Sequence, residues 1–384
     1  MRPARRIAAG LLLALASLGG AGLLCEAFLR LALFSDVMPE LVERRLRQPD
    51  FFAFPSSDDF WKLRSRWQNQ EVLRLLHHPR LGATIPRTAV NPLGVAGAAR
   101  ALPPPGAREP AILFYGDSYL TTPFFQVSAR IPQLLEARLA GTAVWNFGMW
   151  SYGLDQMILR LEETHGYFRR PIVLIGVLTD DIDRSLLTVR EGQKPRFVVD
   201  RDGTSHLTNV PIEADQAAYL ARHPPAIRSY ALRMLAMVLA KTRLAGGWLR
   251  LRPEERREEI EAVSRALIAR AAARCRDGDI PLRFVIFHPD FELAQPSWRG
   301  QFLRDTLDGL GISYLDTAPV LRQGLETGAT GMADFYDATS HHTQRANALI
   351  VDAIIDRWPE LRHLHGREPT AADRASGEPA RDPR

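Results

Sequence analysis

Short apolar runs that alternate with amphipathic segments constrain the fold of this chain more than any other feature. The runs AILFYG, AVWN, PIVLIGVL and LRFVIFHP begin near residues 111, 143, 171 and 282, and a fifth covers 309–315. A continuous apolar run of this length is typical of a buried strand in a parallel sheet. The intervening segments have helical apolar spacing. The alternation predicts an α/β fold with a doubly wound, mostly parallel sheet.

The first 34 residues predict one N-terminal transmembrane helix. Arg2, Arg5 and Arg6 precede the uncharged run IAAGLLLALASLGGAGLLC, which is long enough to cross a bilayer. Arginines on this side predict a single-pass protein of the cytoplasmic membrane, with its N-terminus inside and the rest of the chain periplasmic or extracellular. A cleaved signal peptide with its small-residue site at 14–16 is the alternative. Continuation of the apolar run to Phe34 favours the uncleaved anchor.

The remaining chain divides by composition into three further segments. Residues 35–110 are expected to form a charged stalk and a lead-in rich in Pro and Gly. Residues 111–360 are expected to form the α/β domain, with a hairpin and helical insertion at about 190–250. Residues 361–384 have no apolar periodicity, which predicts a disordered tail.

Composition excludes several classes of partner and cofactor. The 49 Lys and Arg face 44 Asp and Glu, and no basic block is interleaved with aromatic residues. We therefore expect no nucleic-acid partner. Two cysteines exclude a disulfide framework and a cysteine-based zinc site. Without an HExxH sequence or a phosphate-binding glycine loop, no metal and no cofactor are expected.

A serine at the end of the first strand is the leading candidate for chemistry. Ser118 follows Gly116 and Asp117 directly after AILFY, and ligands of open parallel sheets bind at that edge. Serine is a weak nucleophile unless a base lies within hydrogen-bond reach. The segment DATSHHT offers His341 and His342 as bases, and an aspartate shortly before a histidine can hold the imidazole in the required tautomer.

With these residues, the chain resembles the SGNH hydrolase superfamily, the GDSL-type esterases and lipases, and more narrowly its membrane-anchored bacterial members. The resemblance covers about residues 77–358 and rests on four blocks: LFYGDSYL, WNFGMWSYGLDQ, VLIGVLTDDIDR and DATSHHTQRAN. It implies an α/β/α sandwich. It also implies that Ser118 is the nucleophile, that His341 (with His342 as the alternative) is the base, and that Asp337 orients the base.

The resemblance further implies an oxyanion hole. Its donors would be the Ser118 backbone N–H, a backbone N–H of the second block at Ser151 or Gly153, and a side chain at Asp180, or at Thr179 if the register shifts by one. Asp117 would line the same site.

The sequence departs from the pattern of this family at three positions. Ser151 stands where the family has a glycine, and Asp180 where it has an asparagine. An ionised aspartate cannot donate a hydrogen bond to an oxyanion. Asp337 stands four residues before His341 instead of three.

The resemblance implies an extracytoplasmic serine esterase that acts on acyl esters, such as O-acetyl groups, of an envelope glycan or lipid. Its partners would be the membrane, through the N-terminal helix, and the acyl-ester or glycan substrate. One alternative is an O-acyltransferase to polysaccharide, because the same triad serves both reactions. The other is a degenerate domain that binds a glycan or a partner protein, suggested by Ser151 and Asp180.

Overall fold

The structure, a computed structural model, describes residues 3–68, 76–97, 100–101, 111–121, 126–139, 141–241, 256–328 and 331–366. Its helices are α1 (Pro3–Phe34), α2 (Glu40–Leu46), α3 (Asp58–Trp67), α4 (Ser118–Thr121), α5 (Ile131–Arg138), α6 (Leu154–Thr164), α7 (Asp181–Arg184), α8 (Gln216–Arg222), α9 (Tyr230–Lys241), α10 (Arg257–Asp277), α11 (Asp290–Ala294), α12 (Trp298–Gly309), α13 (Thr317–Thr327) and α14 (Gln344–Arg357). Its strands are β1 (His77–His78), β2 (Gly82–Ala83), β3 (Ala111–Tyr115), β4 (Ala143–Asn146), β5 (Ile172–Leu178), β6 (Arg196–Val199), β7 (Ser205–Thr208), β8 (Leu282–Phe287) and β9 (Ser313–Asp316).

Five of the described strands form a central sheet. Their order is β4-β3-β5-β8-β9, and every neighbouring pair is parallel. Numbered along the chain within this sheet, the order is 2-1-3-4-5, the flavodoxin-like doubly wound order. After β3 the chain adds β4 on one side of it and then β5 on the other, so the switch point of the sheet lies between β3 and β5. Ligands of such sheets bind beyond the carboxyl ends of the strands at this switch point.

Side chains that alternate along the strands build a separate core on each face of the sheet. Leu113 and Tyr115 pack in one core with residues of α6, α10 and α12. Ile112 and Phe114 pack in the other with residues of α5, α13 and α14. Because successive side chains of a strand point to opposite faces, a sheet buried on both sides needs apolar residues at every position. The predicted α/β fold with a mostly parallel sheet is therefore confirmed.

Contacts divide the chain into two compact units. Unit 1 comprises Met1–Leu75, Val189–Gln193 and Asp215–Arg256, and unit 2 comprises Leu76–Thr188, Lys194–Ala214 and Arg257–Arg384. Unit 2 contains the central sheet. Unit 1 contains α1, α2, α3, α8 and α9, with a core of Leu29, Leu33, Phe52, Leu63, Ile227 and Tyr230.

The predicted N-terminal apolar helix is confirmed as α1. Its segment Ala9–Phe34 has 26 residues and a mean hydropathy of 1.9. Within the part of the chain that the structure describes, it is the one helix long and apolar enough to cross a membrane.

The expected insertion at about 190–250 does not stay together in the structure. The hairpin β6–β7 is antiparallel as the sequence indicates, and it belongs to unit 2, where Phe197 is buried in the core. Helices α8 and α9 belong to unit 1. The reason is that Ile227 and Tyr230 bury their side chains with residues of α1 instead of with the sheet.

The C-terminal boundary lies later than the sequence suggests. A 3-10 helix, Pro359–Gly366, continues beyond α14, and Leu361 is buried in the core of unit 2. The structure thus places residues 361–366 in a short helix with Leu361 buried, and the disordered tail stays a prediction. Residues 367–384, 98–99 and 102–110, to which the tail and lead-in predictions also refer, lie outside the described residues.

A buried ion pair holds the start of α6 against the segment after α7. Lys194 and Asp155 are both fully buried, and Lys194 Nζ donates to Asp155 Oδ2. The same ammonium donates to the carbonyl oxygens of Arg184, Leu187 and Pro195 at 3.1, 3.3 and 3.0 Å. A buried charge is tolerated only when its partners replace water. Lys194 therefore fixes the backbone on which Arg184 stands.

We expect Lys194→Met to lower the free energy of unfolding by about 3–5 kcal/mol, because it leaves a buried carboxylate without its counter-charge. The matched control is Arg257→Ala, which removes the exposed i,i+4 pair of Arg257 with Glu261. That pair should contribute less than about 0.5 kcal/mol. Urea unfolding of the full chain, followed by circular dichroism, measures both. Equal losses for the two variants would contradict the role given to Lys194.

Candidate active site

Ser118 lies at the carboxyl end of β3, on the side of the sheet switch point. Gly116 precedes it, and a Cβ at Gly116 would lie 2.6 Å from Leu120 Cδ1 and 2.9 Å from the Gly176 carbonyl oxygen. Only glycine fits such a close approach. The chain can therefore turn sharply here, and Ser118 becomes the first residue of α4.

Ser118 and His341 are 223 residues apart in the chain and in direct contact in the fold. His341 Nε2 lies 2.8 Å from Ser118 Oγ, within the distance at which an imidazole can take a hydroxyl proton. Ser118 Oγ also lies 3.3 Å from Asp117 Oδ2. The serine and histidine suggested by the sequence are thus brought together as a nucleophile–base pair.

Asp337 reaches the imidazole of His341 through a hydroxyl group. Thr339 Oγ1 donates to Asp337 Oδ1 at 2.6 Å and lies 2.8 Å from His341 Nδ1. Because the threonine proton goes to the carboxylate, its oxygen accepts from Nδ1–H. Nε2 is then the unprotonated nitrogen that faces Ser118. The resemblance implies this orienting role for Asp337 and does not indicate Thr339. The one sequence signal for Thr339 is the additional residue between Asp337 and His341.

Asp337 also holds the backbone of the loop. Its Oδ1 accepts from the backbone N–H of Thr339 at 2.7 Å and of His341 at 3.1 Å. The Asp337 N–H in turn donates to the His341 carbonyl oxygen at 2.9 Å. Burial alone would raise the pKa of Asp337, but the hydrogen bonds from Thr339 and His341 outweigh it and lower that pKa. The carboxylate therefore stays ionised in this loop.

His342, the alternative base, points into the core. Its ring packs edge-on against Tyr119, with centroids 4.6 Å apart, and also contacts Phe287 and Tyr336. Neither ring nitrogen has a hydrogen-bond partner among the described residues. Burial, assisted by the charge of His341, lowers the pKa of His342 to about 3. It is a neutral packing residue, and His341 is the histidine that faces Ser118.

Tyr119 joins the serine turn to the histidine loop. Its hydroxyl donates to the Ser340 carbonyl oxygen at 2.6 Å, and its ring stacks on Phe287 with centroids 5.4 Å apart. Ser340 has a left-handed backbone with φ of 62°, and its side chain donates to Asp290 Oδ1 at 2.8 Å. No sequence pattern indicates that Tyr119 joins the two segments, because a tyrosine next to a buried strand usually packs in the core.

Arg184 lies behind the serine turn. Its Nη1 donates to Asp117 Oδ2 at 2.8 Å, to the Tyr152 carbonyl oxygen at 3.2 Å and to Asp181 Oδ1. Burial opposes the charge of Arg184, but Asp181 and Asp117 outweigh it and raise the pKa of the guanidinium. Asp117 is thereby held in place with its Oδ1 accepting from the Tyr119 N–H at 2.9 Å. It supports the turn that carries Ser118.

Ser151 and Gly153, both in the segment WNFGMWSYGLDQ, differ in backbone conformation and in hydrogen bonding. Ser151 has φ of 65°, a left-handed conformation that favours glycine and is uncommon for serine. This explains why the resembled family has glycine there. The Gly153 N–H donates to Gln156 Oε1 at 3.3 Å at the start of α6. The Gly153 amide is thus already engaged at the start of α6.

Thr179 and Asp180 follow β5, the strand that pairs with β3. Tyr115 is in register with Ile175, so the two residues lie at the same sheet edge as Ser118. Thr179 is fully buried. Burial, reinforced by Asp183 and opposed by Arg184, raises the pKa of Asp180. Its neutral form, which can donate a hydrogen bond, therefore persists to higher pH than that of an ordinary aspartate.

A buried cluster supports the carboxyl end of β8. His288 follows β8, and its ring nitrogens lie 3.2 Å from Glu292 Oε2 and 2.8 Å from Asp316 Oδ1. Burial would lower the pKa of His288, but the hydrogen bonds to Asp316 and Glu292 outweigh it and raise that pKa. The His288 carbonyl oxygen accepts from Tyr336 Oη at 2.8 Å. The cluster thus braces the segment that leads into Asp337.

The described residues contain no group of three or more His, Cys, Asp or Glu side chains that could hold a metal ion. The chemistry available at this edge is that of a serine, an imidazole and a carboxylate linked by hydrogen bonds.

Comparisons with known proteins give matches among solved structures. No protein-family model and no curated protein sequence matches the chain. A lipolytic protein of the G-D-S-L family from Veillonella parvula DSM 2008 is 11% identical, with a TM-score of 0.38, over 65% of this chain and 98% of that one. The G-D-S-L family is the one that the sequence motifs resemble.

Two further solved structures are similar to the same extent. Axe2, an acetylxylan esterase from Geobacillus stearothermophilus, is 12% identical over 66% of this chain and 94% of its own, with a TM-score of 0.36. LAE5, an alpha/beta hydrolase enzyme from the metagenome of Lake Arreo, Spain, is 12% identical over 65% of this chain and 95% of its own, with a TM-score of 0.39. All of these likenesses are remote.

Proposed function

We propose that this chain is an SGNH-type serine ester hydrolase. The observation that carries the proposal is the 2.8 Å contact of His341 Nε2 with Ser118 Oγ at the switch point of a doubly wound sheet. A hydroxyl, an imidazole and a carboxylate in one hydrogen-bonded row are the groups that acyl transfer through a serine requires. The four sequence blocks that resemble the SGNH superfamily supply these residues in the matching order.

In the proposed reaction, Ser118 Oγ attacks the carbonyl carbon of an ester while its proton passes to His341 Nε2. The tetrahedral intermediate collapses, and the C–O bond to the alcohol breaks. The alcohol takes the proton from His341 and leaves an acyl group on Ser118. Water, deprotonated by His341, then releases the carboxylic acid and restores the serine.

Asp337 and Thr339 act on His341 as positioning residues. The row Asp337–Thr339–His341 keeps a proton on Nδ1 and stabilises the imidazolium that forms when Nε2 takes the serine proton. A threonine hydroxyl transmits this effect because it donates to the carboxylate and accepts from the ring at the same time.

The oxyanion would be held by the backbone N–H groups of Ser118 and Ser151 and by the carboxyl group of Asp180 in its neutral form. A carboxylic acid donates a hydrogen bond only in its neutral form, and burial raises the pKa of Asp180. Where that form is present, Asp180 would serve as the donor that is an asparagine in the resembled family.

We also propose that α1 anchors the enzyme in the cytoplasmic membrane, with the catalytic unit outside. The length and hydropathy of Ala9–Phe34 support the anchor, and the arginines at positions 2, 5 and 6 support the orientation. An enzyme held there meets the acyl esters of envelope glycans and lipids, which we propose as the substrate class. Transfer of the acyl group to a glycan hydroxyl differs from hydrolysis only in the acceptor.

The first prediction concerns the nucleophile. A fluorophosphonate probe should add covalently to the full chain, and Ser118→Ala should abolish the adduct seen by intact mass. His341→Ala should slow labelling strongly, whereas Ser340→Ala, at an adjacent serine of the histidine loop, should leave a labelled protein. A well-folded chain that takes no probe would contradict the esterase proposal and favour a binding domain.

The second prediction concerns Thr339. Thr339→Val should lower kcat for a soluble acetyl ester by about 10²-fold, which is the lower end of the rate enhancement that a general base usually contributes. KM should change little. Thr339→Ser keeps the bridging hydroxyl and should retain most of the activity. Equal activity of the valine and serine variants would mean that Asp337 does not act through this hydroxyl.

The third prediction concerns the pH profile. The pKa of Asp180 is raised, so its donating form is present below that pKa and is lost as the pH rises through it. Activity should therefore fall on the alkaline side. Asp180→Asn should remove the fall and raise kcat/KM there by about 10²-fold, the usual value of one oxyanion donor.

The control for this profile is Asp183→Asn, which changes a neighbouring carboxylate paired with Arg299 at 2.6 Å. It should leave the alkaline fall in place. An Asp180→Asn variant that is no faster than the parent at alkaline pH would exclude Asp180 from the oxyanion hole.

A further inference from the structure

Two exposed aromatic side chains lie at the catalytic edge of the sheet. Trp150 is 36% exposed and Phe291 is 59% exposed. Every other phenylalanine and tryptophan that the structure describes in unit 2 is buried or half-buried. Single exposed apolar residues are common on protein surfaces. These two are informative because both lie beside the candidate pair Ser118 and His341.

Trp150 belongs to the loop that packs on the serine turn. The N–H of Met149, the residue before it, donates to the Gly116 carbonyl oxygen at 3.1 Å. The carbonyl oxygen of Tyr152, two residues after it, accepts from Arg184 Nη1 at 3.2 Å. The same nitrogen pairs with the aspartate of the serine turn at 2.8 Å. Trp150 therefore stands between two attachments to the segment that carries the candidate nucleophile.

Phe291 lies beside the histidine loop. It is the second residue of α11, the short helix after β8. Asp290, the first residue of this helix, accepts through Oδ1 from Ser340 Oγ at 2.8 Å, and Ser340 directly precedes His341. The same oxygen accepts from the Phe291 N–H at 2.9 Å. One carboxylate oxygen therefore ties Phe291 to the residue next to the candidate base.

The sheet places the two aromatic residues on opposite sides of the nucleophile. Trp150 follows β4, Ser118 follows β3 and Phe291 follows β8, and the strand order is β4-β3-β5-β8. Strands β4 and β8 are three inter-strand spacings apart, about 14 Å. A ligand that contacts both rings has to extend past the serine. An acetyl group alone is too short for this, so the rings face the alcohol part of an ester.

Polar groups beside each ring indicate the kind of ligand. Trp150 is followed by Ser151, and Phe291 is preceded by Asp290. A sugar ring has a face of C–H groups, which packs flat on an aromatic ring, and an edge of hydroxyls, which bond to neighbouring polar groups. A fatty acyl chain needs a continuous apolar lining, because its burial gains free energy only from apolar contact. The alternation of aromatic and polar groups at this edge favours the sugar.

We propose that Trp150 and Phe291 bind the sugar rings of an O-acylated oligosaccharide, whose ester group reaches Ser118 between them. The two residues then determine specificity for a glycan ester over a lipid ester. This inference rests on the proposed esterase function. It deepens that function, because it assigns the residues that recognise the alcohol part of the ester.

The test compares two substrates of the full chain, partly O-acetylated cellotetraose and 4-nitrophenyl acetate. The measured quantity is the ratio of kcat/KM for the tetrasaccharide to kcat/KM for the small ester. Trp150→Ala and Phe291→Ala should each lower this ratio by about 10-fold, which corresponds to one well-placed aromatic contact. Trp150→Phe keeps a flat ring and should retain most of the ratio, whereas Trp150→Leu should not.

The matched control is Tyr167→Ala. Tyr167 is 46% exposed and precedes β5, so it lies at the opposite edge of the sheet. Its ratio should equal that of the parent. An unchanged ratio in both alanine variants at the catalytic edge would overturn the proposal. A larger loss on 4-nitrophenyl decanoate than on the tetrasaccharide, restored by Trp150→Leu, would also overturn it and indicate an acyl-chain site.

Binding without turnover separates this inference from the esterase proposal. Calorimetry should show that unmodified cellotetraose binds to Ser118→Ala, and that adding Trp150→Ala weakens the binding by about 10-fold. A parent chain that hydrolyses neither ester while this binding is seen would overturn the esterase proposal and support the glycan site. Hydrolysis of 4-nitrophenyl acetate without any binding of the tetrasaccharide would overturn the glycan site and leave the esterase intact.

Discussion

The parallel pairing of β3 with β5 is the constraint on which the candidate site depends. It puts the residues after both strands at one edge, where the chain reverses its direction across the sheet. Gly116 lets β3 end in a sharp turn because no Cβ fits there. Ser118 and Asp180, which follow the two strands, consequently lie at the sheet edge where ligands of doubly wound sheets bind.

The histidine loop is held by hydrogen bonds of its own residues. Asp337 accepts three hydrogen bonds within the loop, from the Thr339 N–H and hydroxyl and from the His341 N–H. Tyr119 and Ser340 tie the loop to the serine turn. A base fixed by this many contacts loses little entropy when the reaction begins, which is the advantage of a preorganised site. His342 is buried against Tyr119, whereas His341 faces Ser118. The two adjacent histidines therefore have different environments.

Unit 1 buries one part of its apolar surface and leaves another part exposed. Its core buries Leu29, Leu33 and Tyr230, whereas the leucines of α1 before Glu26 remain exposed. An apolar surface of this size is unfavourable in water and favourable in lipid. Glu26, which lies within the apolar helix, has its carboxylate held by Arg30, Ser229 and Ala231.

The sequence by itself determined the five strands of the central sheet, the helical character of the segments between them, the apolar N-terminal helix and the candidate pair Ser118 and His341, because apolar periodicity and short motifs are local properties. It left His341 and His342 open, because adjacent residues differ only in which way their side chains face. The tertiary structure alone brought Thr339 between Asp337 and His341, engaged the Gly153 amide with Gln156, and assigned α9 to α1. The first two outcomes are set by side-chain and backbone conformation within a few residues, and the third by packing between residues far apart in the chain; apolar periodicity encodes neither.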